Sequence, residues 1–200
     1  MAEIQYKIVE DFCVDGVYIN NFQLNRIRTY TKSGKLYWGI VNRCRAGGAT
    51  QKNFPTYEGC TMSENFKDYQ YFATWCQKQV GYAEEGFEID KDILGCGKEY
   101  SEQVCVFVPK RINTMLAKSK KQRGISPIGV IKRGSKFHSR CSIGGGKNQH
   151  LGVFNTAEEA FIAYKIFKEK LVKGITEEFK ERIDSRVYNT LMKYEVNIGD

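Results

Sequence analysis

Three short runs of alternating residues, IGVIKRG (128–134), KFHSRCSI (136–143) and KNQHLGVF (147–154), are separated only by turns at Gly134-Ser135 and Gly144-Gly145-Gly146. Period-2 alternation fits strands with one buried face, and turns this short join antiparallel neighbours. The segment that follows, TAEEAFIAYKIFKEKLVKG, changes period. Ala160, Phe161, Tyr164, Phe167 and Leu171 recur at helical spacing behind a capping box of Thr156 and Glu159. Lys168, Lys170 and Lys173 stand where the helix dipole favours cations, and Gly174 is expected to end the helix. A three-stranded sheet with one helix covers one face and leaves the other open. Alternation puts Phe137, Ser139, Cys141 and Ile143 on one face of the middle strand, with His138, Arg140 and Ser142 on the other. In the third run, Asn148 and His150 fall opposite Gln149 and Leu151. The open face then offers Arg133, His138, Arg140, Asn148 and His150. In a major groove, arginine suits guanine and asparagine suits adenine.

The charge distribution supports a polyanionic partner. The 200-residue chain carries a net charge of +8, yet from Gln103 to Asn155 there is no Asp or Glu. Eleven of the 31 Lys and Arg residues lie in that stretch, together with both histidines, and the rest of the chain is slightly acidic, 20 basic against 23 acidic residues. A long basic segment inside a folded sequence is the footprint of nucleic acid.

The segment IGVIKRGSKFHSRCSIGGGKNQHLGVFNTAEEAFIAY resembles the APETALA2/ethylene-response-factor DNA-binding domain. The marks are the Gly-Val of the first strand, the Lys-aromatic pair of the second, and Leu151-Gly152-Val153-Phe154-Asn155-Thr156-Ala157-Glu158-Glu159-Ala160 with Ala163-Tyr164. The resemblance implies a sheet seated in the major groove of double-stranded DNA. Its base-facing positions would be Ile131, Arg133, Arg140, Ser142, Asn148 and His150. Several of these are not the Arg or Trp usual in plant members, so no target sequence carries over.

Upstream, residues 1–34 alternate in short runs that suggest two or three strands, broken at Gly16 and at TKSGK (31–35). LYWGIVNRCR (36–45) has helical spacing, AGGATQKNFPTYEGC is loop-like by its Gly and Pro, and ENFKDYQYFATWCQKQV (64–80) patterns as one amphipathic helix. Its Phe66, Tyr69, Ala73, Cys76 and Val80 would face the core, although aromatics at this spacing could also stack on bases. FEIDKDIL predicts a strand running into a loop, VCVFV a second strand, and Pro109 the first turn of a helix through KRINTMLAKSKKQ. The seven cysteines include no C-x-x-C pair, which favours free buried thiols in a reducing compartment over a zinc site. No apolar run approaches a membrane span, and the N-terminus lacks the pattern of a signal peptide.

Phage and mobile-element proteins often join an APETALA2-like domain to an HNH-type nuclease, and IDKDILGCGKEYSEQVCVFVPKRIN (89–113) resembles a degenerate HNH, or His-Me finger, motif. Pro55-Thr56-Tyr57-Glu58-Gly59-Cys60, upstream of the aromatic segment, is similar to the corresponding module of those phage proteins. The resemblance implies that Asp90 and Asn113 hold one divalent cation, Mg²⁺ or Mn²⁺, at the scissile phosphate. Lys91 falls where the family has its catalytic histidine, and Val104 where it has an asparagine. A lysine between Asp90 and Asp92 is protonated at neutral pH. It could hold phosphate, leaving Asp92 or a metal-bound hydroxide as base. The competing reading makes DKD a structural charge cluster.

The expected fold is α+β. A degenerate ββα-finger nuclease-like module (1–117, finger 89–117) precedes a basic linker (118–125). An APETALA2-like domain (126–174) and a helical tail (175–200) follow. Lys118, Lys120, Lys121 and Arg123 of the linker would run along the phosphate backbone. The expected function is a metal-dependent DNA endonuclease of the phage homing or free-standing type, in the cytoplasm of a bacterial host. The alternative is a catalytically inactive phage DNA-binding regulator or counter-defence protein derived from one. Double-stranded DNA is the expected partner, with no membrane. A homodimer stays open, and no protein partner is named by the sequence.

Overall fold

The structure is a computed structural model that describes residues 12–15, 17–19, 31–95, 97–116 and 126–199. It is of mixed helix and strand, and the chain divides into two compact units, Met1–Phe107 and Val108–Asp200. No described helix is long and apolar enough to cross a membrane.

In the first unit, β1 (Phe12–Val14) and β2 (Val17–Ile19) form an antiparallel hairpin with Asp15 in its turn at φ 51°. The rest of the 1–34 strand expectation lies outside the described residues. TKSGK carries the start of a helix. The Thr31 hydroxyl accepts the Gly34 N–H at 2.8 Å and starts α1 (Lys32–Cys44) ahead of LYWGIVNRCR. The Asp15 carboxylate accepts the backbone N–H and the hydroxyl of Ser33, at 2.9 and 3.1 Å, and so ties the hairpin to the start of that helix. AGGATQKNFPTYEGC is not loop throughout. It holds α2 (Ala49–Asn53) and a 3₁₀ turn at Pro55–Tyr57.

Residues 64–80 are not one helix either. A 3₁₀ turn at Asn65–Lys67 precedes Asp68, whose side chain accepts the Gln70 and Tyr71 N–H groups and caps α3 (Tyr69–Gln77). Phe66, Tyr69, Ala73 and Cys76 are buried as the periodicity predicts, but Val80 lies beyond the helix and is 50% exposed. Phe66 packs edge-on against Phe72 and Trp75, with ring centroids 5.1 and 4.8 Å apart, so these aromatics are core. Each fully buried ring contributes roughly 1.5–3 kcal/mol relative to exposure. β3 (Thr61–Met62) pairs in parallel with β5 (Glu99–Tyr100), a pairing with no signal in the sequence. β4 (Phe87–Asp90) and β6 (Val106–Pro109) form another two-stranded sheet.

In the second unit, α4 spans Lys110–Leu116, so Pro109 closes a strand rather than opening the helix. The linker residues Lys118, Lys120, Lys121 and Arg123 lie outside the described residues. β7 (Val130–Arg133), β8 (Lys136–Gly144) and β9 (Lys147–Phe154) form the antiparallel sheet in that order. The capping box at Thr156 and Glu159 opens α5 (Ala157–Glu178). Gly174 does not end it. The helix continues because Ile175 and Thr176 are buried one turn further on, which offsets the roughly 1 kcal/mol cost of a mid-helix glycine. The tail adds a 3₁₀ turn at Lys180–Arg182 and α6 (Ser185–Met192).

The core between sheet and helix is Val130, Cys141, Ala160, Phe161 and Tyr164, closed by Val196, with Phe137, Leu151 and Phe154 packed against it. Gly129 sits under the Tyr164 ring: a Cβ there would lie 2.1 Å from the ring, which is a packing reason for glycine before the first strand. Lys168 is buried and donates to the Met115 carbonyl in the last turn of α4, a favourable end for a cation. Burial lowers its pKa. Cys44, Cys60, Cys76, Cys105 and Cys141 are free thiols, four of them buried. Burial pushes the thiols of Cys44 and Cys105 up to about 12.

Candidate nucleic-acid interface and the Asp90 loop

The strand register fixes which side chains share the open face. Across β7 and β8, Arg133 pairs with Lys136 and Ile131 with His138. Across β8 and β9, His138 pairs with Val153, Arg140 with His150, and Ser142 with Asn148. Paired residues point the same way, so these form four rows on the side away from α5. Arg133, Lys136, Arg140, Ser142, Asn148 and His150 are exposed, and Ile131 and His138 are half-buried. All five residues that alternation assigned to the open face are therefore brought together, along with Ser142 and Ile131. The His138 and His150 rings lie 5.9 Å apart.

Among the described residues, no carboxylate stands in the four rows of this face. Ion pairs in the second unit join Arg111 to Glu178, Lys165 to Glu169, Lys180 to Glu177 and Arg186 to Asp184, and none of these residues belongs to the four rows. The described carboxylates of this unit stand on its helices and their flanks, and the three strands carry positive side chains without any Asp or Glu.

Two positions depart from strict alternation. Ile143 was expected inside, but a register break between Ser142 and Gly144 leaves it 37% exposed. In β9 the register shifts between Ser139 and Arg140, so that Ser139 pairs with Gly152 and Arg140 with His150. Leu151 is the extra residue of a β-bulge, and Gly152 takes a φ of 140°. Leu151 and Phe154 stay on the core, while Val153, which alternation from His150 would send inward, turns out to the open face and is 51% exposed. The glycine after Leu151 was the available signal for this bulge.

The Asp90 loop has a different character. Asp90 ends β4 and is 7% exposed. Its Oδ1 accepts the backbone N–H groups of Asp92, at 2.9 Å, and Ile93, at 2.8 Å. Burial raises its pKa above the usual carboxylate value, against the weaker opposing pull of those two hydrogen bonds. Lys91 is 6% exposed. Its ammonium donates to the Asp92 carboxylate at 2.8 Å and to the Gly97 carbonyl at 2.6 Å, and lies 5.3 Å from the centre of the Tyr100 ring. Gly95 and Gly97 let the loop wind this tightly. A Cβ on Gly97 would come within 2.6 Å of the Asp92 carboxylate, and one on Gly95 within 2.9 Å of the Val104 side chain.

These groups fit a divalent cation poorly. Such an ion takes several oxygen ligands, whereas Oδ1 of Asp90 is committed to loop amides and Asp92 to a buried ammonium. Among the described residues, no three His, Cys, Asp or Glu side chains are grouped to hold a metal. Asn113 stands on α4 in the second unit, half-buried. Comparison with protein-family models, curated proteins and solved structures found no match.

Proposed function

We propose that this protein binds double-stranded DNA through the open face of β7, β8 and β9, without cleaving it, as a phage-type regulator or counter-defence protein of nuclease descent. The observation that carries the reading is the set of exposed Arg133, Lys136, Arg140, Asn148 and His150 on one sheet face, with no carboxylate among them. A small sheet enters a major groove, and arginine and asparagine present the donors that guanine and adenine edges accept. The resemblance of residues 128–164 to the APETALA2 domain points the same way. Binding of fluorescent duplexes, followed by anisotropy across a salt series, tests it. Salt-sensitive binding weakened by Arg140→Ala supports the reading, and absence of duplex binding at low salt rejects it.

The second reading retains cleavage. It rests on the order β4, a loop holding the short β5, then β6 and α4, with Asp90 at a strand end and Asn113 on the helix, which follows the strand, loop, strand, helix order of a His-Me finger with one short strand added. Mg²⁺ or Mn²⁺ would then be held at Asp90. Supercoiled DNA incubated with either ion distinguishes the two. Nicking lost in Asp90→Ala favours the enzyme, and intact DNA favours binding alone.

A further inference from the structure

The four rows of the open face are not uniformly polar. The second, Ile131–His138–Val153, has an apolar side chain at each end of the cross-strand ladder. Neither belongs to the core: Val130, Phe137, Leu151 and Phe154 pack there, and Ile131 and Val153 do not. Val153 faces outward only because of the bulge at Leu151–Gly152, and bulges re-aim side chains beside functional sites. A solvated face gains nothing from an exposed valine between cationic rows. A groove edge carrying methyl groups does.

We infer that Ile131 and Val153 form a thymine-reading row, so that the preferred duplex carries thymine between positions read by the polar rows. The inference rests on the proposed docking of this face on duplex DNA. Thymine alone among the bases presents a methyl group in the major groove, and apolar side chains recognise it by contact. The spacing agrees. Successive rows lie two residues apart along β8, about 6.8 Å, which is about two base-pair steps of about 3.4 Å. The first row, Arg133–Lys136, and the third, Arg140–His150, therefore fall about two steps to either side of the methyl-reading row. Guanine with its O6 and N7 acceptors suits the arginine positions.

The test is selection of binding sites from a random duplex pool on the intact protein, then replacement of each thymine in the selected site by deoxyuridine. That change removes one methyl group and nothing else. At least one replacement should weaken wild-type binding by about three- to fivefold, the effect of losing one methyl contact. That discrimination should fall below about twofold in Val153→Ser or Ile131→Ser, with the salt dependence of binding unchanged. Val153 is exposed, so its replacement leaves the core intact, as urea denaturation will verify. A selected site without thymine, or equal affinity for every deoxyuridine duplex, overturns the inference while docking stands. Failure to bind any duplex overturns the docking reading itself.

Discussion

Val153 faces His138 across the β8–β9 ladder, one position away from where alternation counted from His150 would place it. The shift costs the strand one residue, Leu151, which stays on the core. It also places a valine in the middle of a cationic face. The identity of residue 152 decides this arrangement, since its φ of 140° is a conformation that only glycine adopts readily.

Gly152→Ala should therefore lower stability by about 1–3 kcal/mol, through backbone strain and crowding of the Phe154 ring, which a Cβ would approach to 3.0 Å. Urea denaturation measures the loss. Binding should weaken beyond what the unfolded fraction explains, because the row carrying Val153 is re-aimed. Unchanged stability would mean that the bulge does not depend on glycine.

Asp90 offers a pH test. Its pKa is raised in the folded protein, so the native state holds its proton to higher pH than the unfolded chain does. Stability from this group is therefore present below the ordinary aspartate pKa and is lost as pH rises through the folded value. Asp90→Asn removes the charge and keeps an oxygen for the Asp92 and Ile93 amides. It should match or exceed wild-type stability at pH 7, whereas Asp90→Ala should lose about 1–2 kcal/mol with the cap. Equal losses in both variants would show that the charge itself is what the fold needs.

Lys91 is the loop's internal tie. The Asp92 side chain is 62% exposed, so the ion pair alone is screened, and the bond to the Gly97 carbonyl is the stronger contribution. Lys91→Met should cost about 1–3 kcal/mol in urea denaturation by leaving that carbonyl without the ammonium. Duplex affinity should stay within about twofold, since the open face is made in the second unit. A Lys91→Met protein of wild-type stability that loses DNA nicking would assign the lysine to chemistry instead.

Legibility in the sequence followed the range of the interactions. The three strands, their glycine turns and the Thr156–Glu159 capping box are local patterns, and each was readable. Gly174 misled because the burial of Ile175 and Thr176 outweighs a local stop signal. The helix starts at Lys32, ahead of LYWGIVNRCR, because the Thr31 cap draws Lys32–Lys35 into it, and periodicity alone did not include those residues. The parallel pairing of Thr61–Met62 with Glu99–Tyr100 joins segments far apart in the chain and left no pattern. At the candidate interface, alternation assembled Arg133, His138, Arg140, Asn148 and His150 correctly. It missed Val153, since a bulge inverts every face beyond it. At Asp90 the residues were legible and their burial was not.

The most direct measurement of the central claim is the salt dependence of duplex DNA binding in wild type, Arg133→Ala and Arg140→Ala. Both arginines are exposed on the open face. Docking by this face predicts salt-sensitive binding in the wild type. Each variant should then weaken it, lowering the slope of log K against log salt by about one where a phosphate contact is lost, or relaxing sequence preference where a base contact is lost. Affinity, slope and preference unchanged in both variants would contradict the assignment of this sheet as the DNA-binding face.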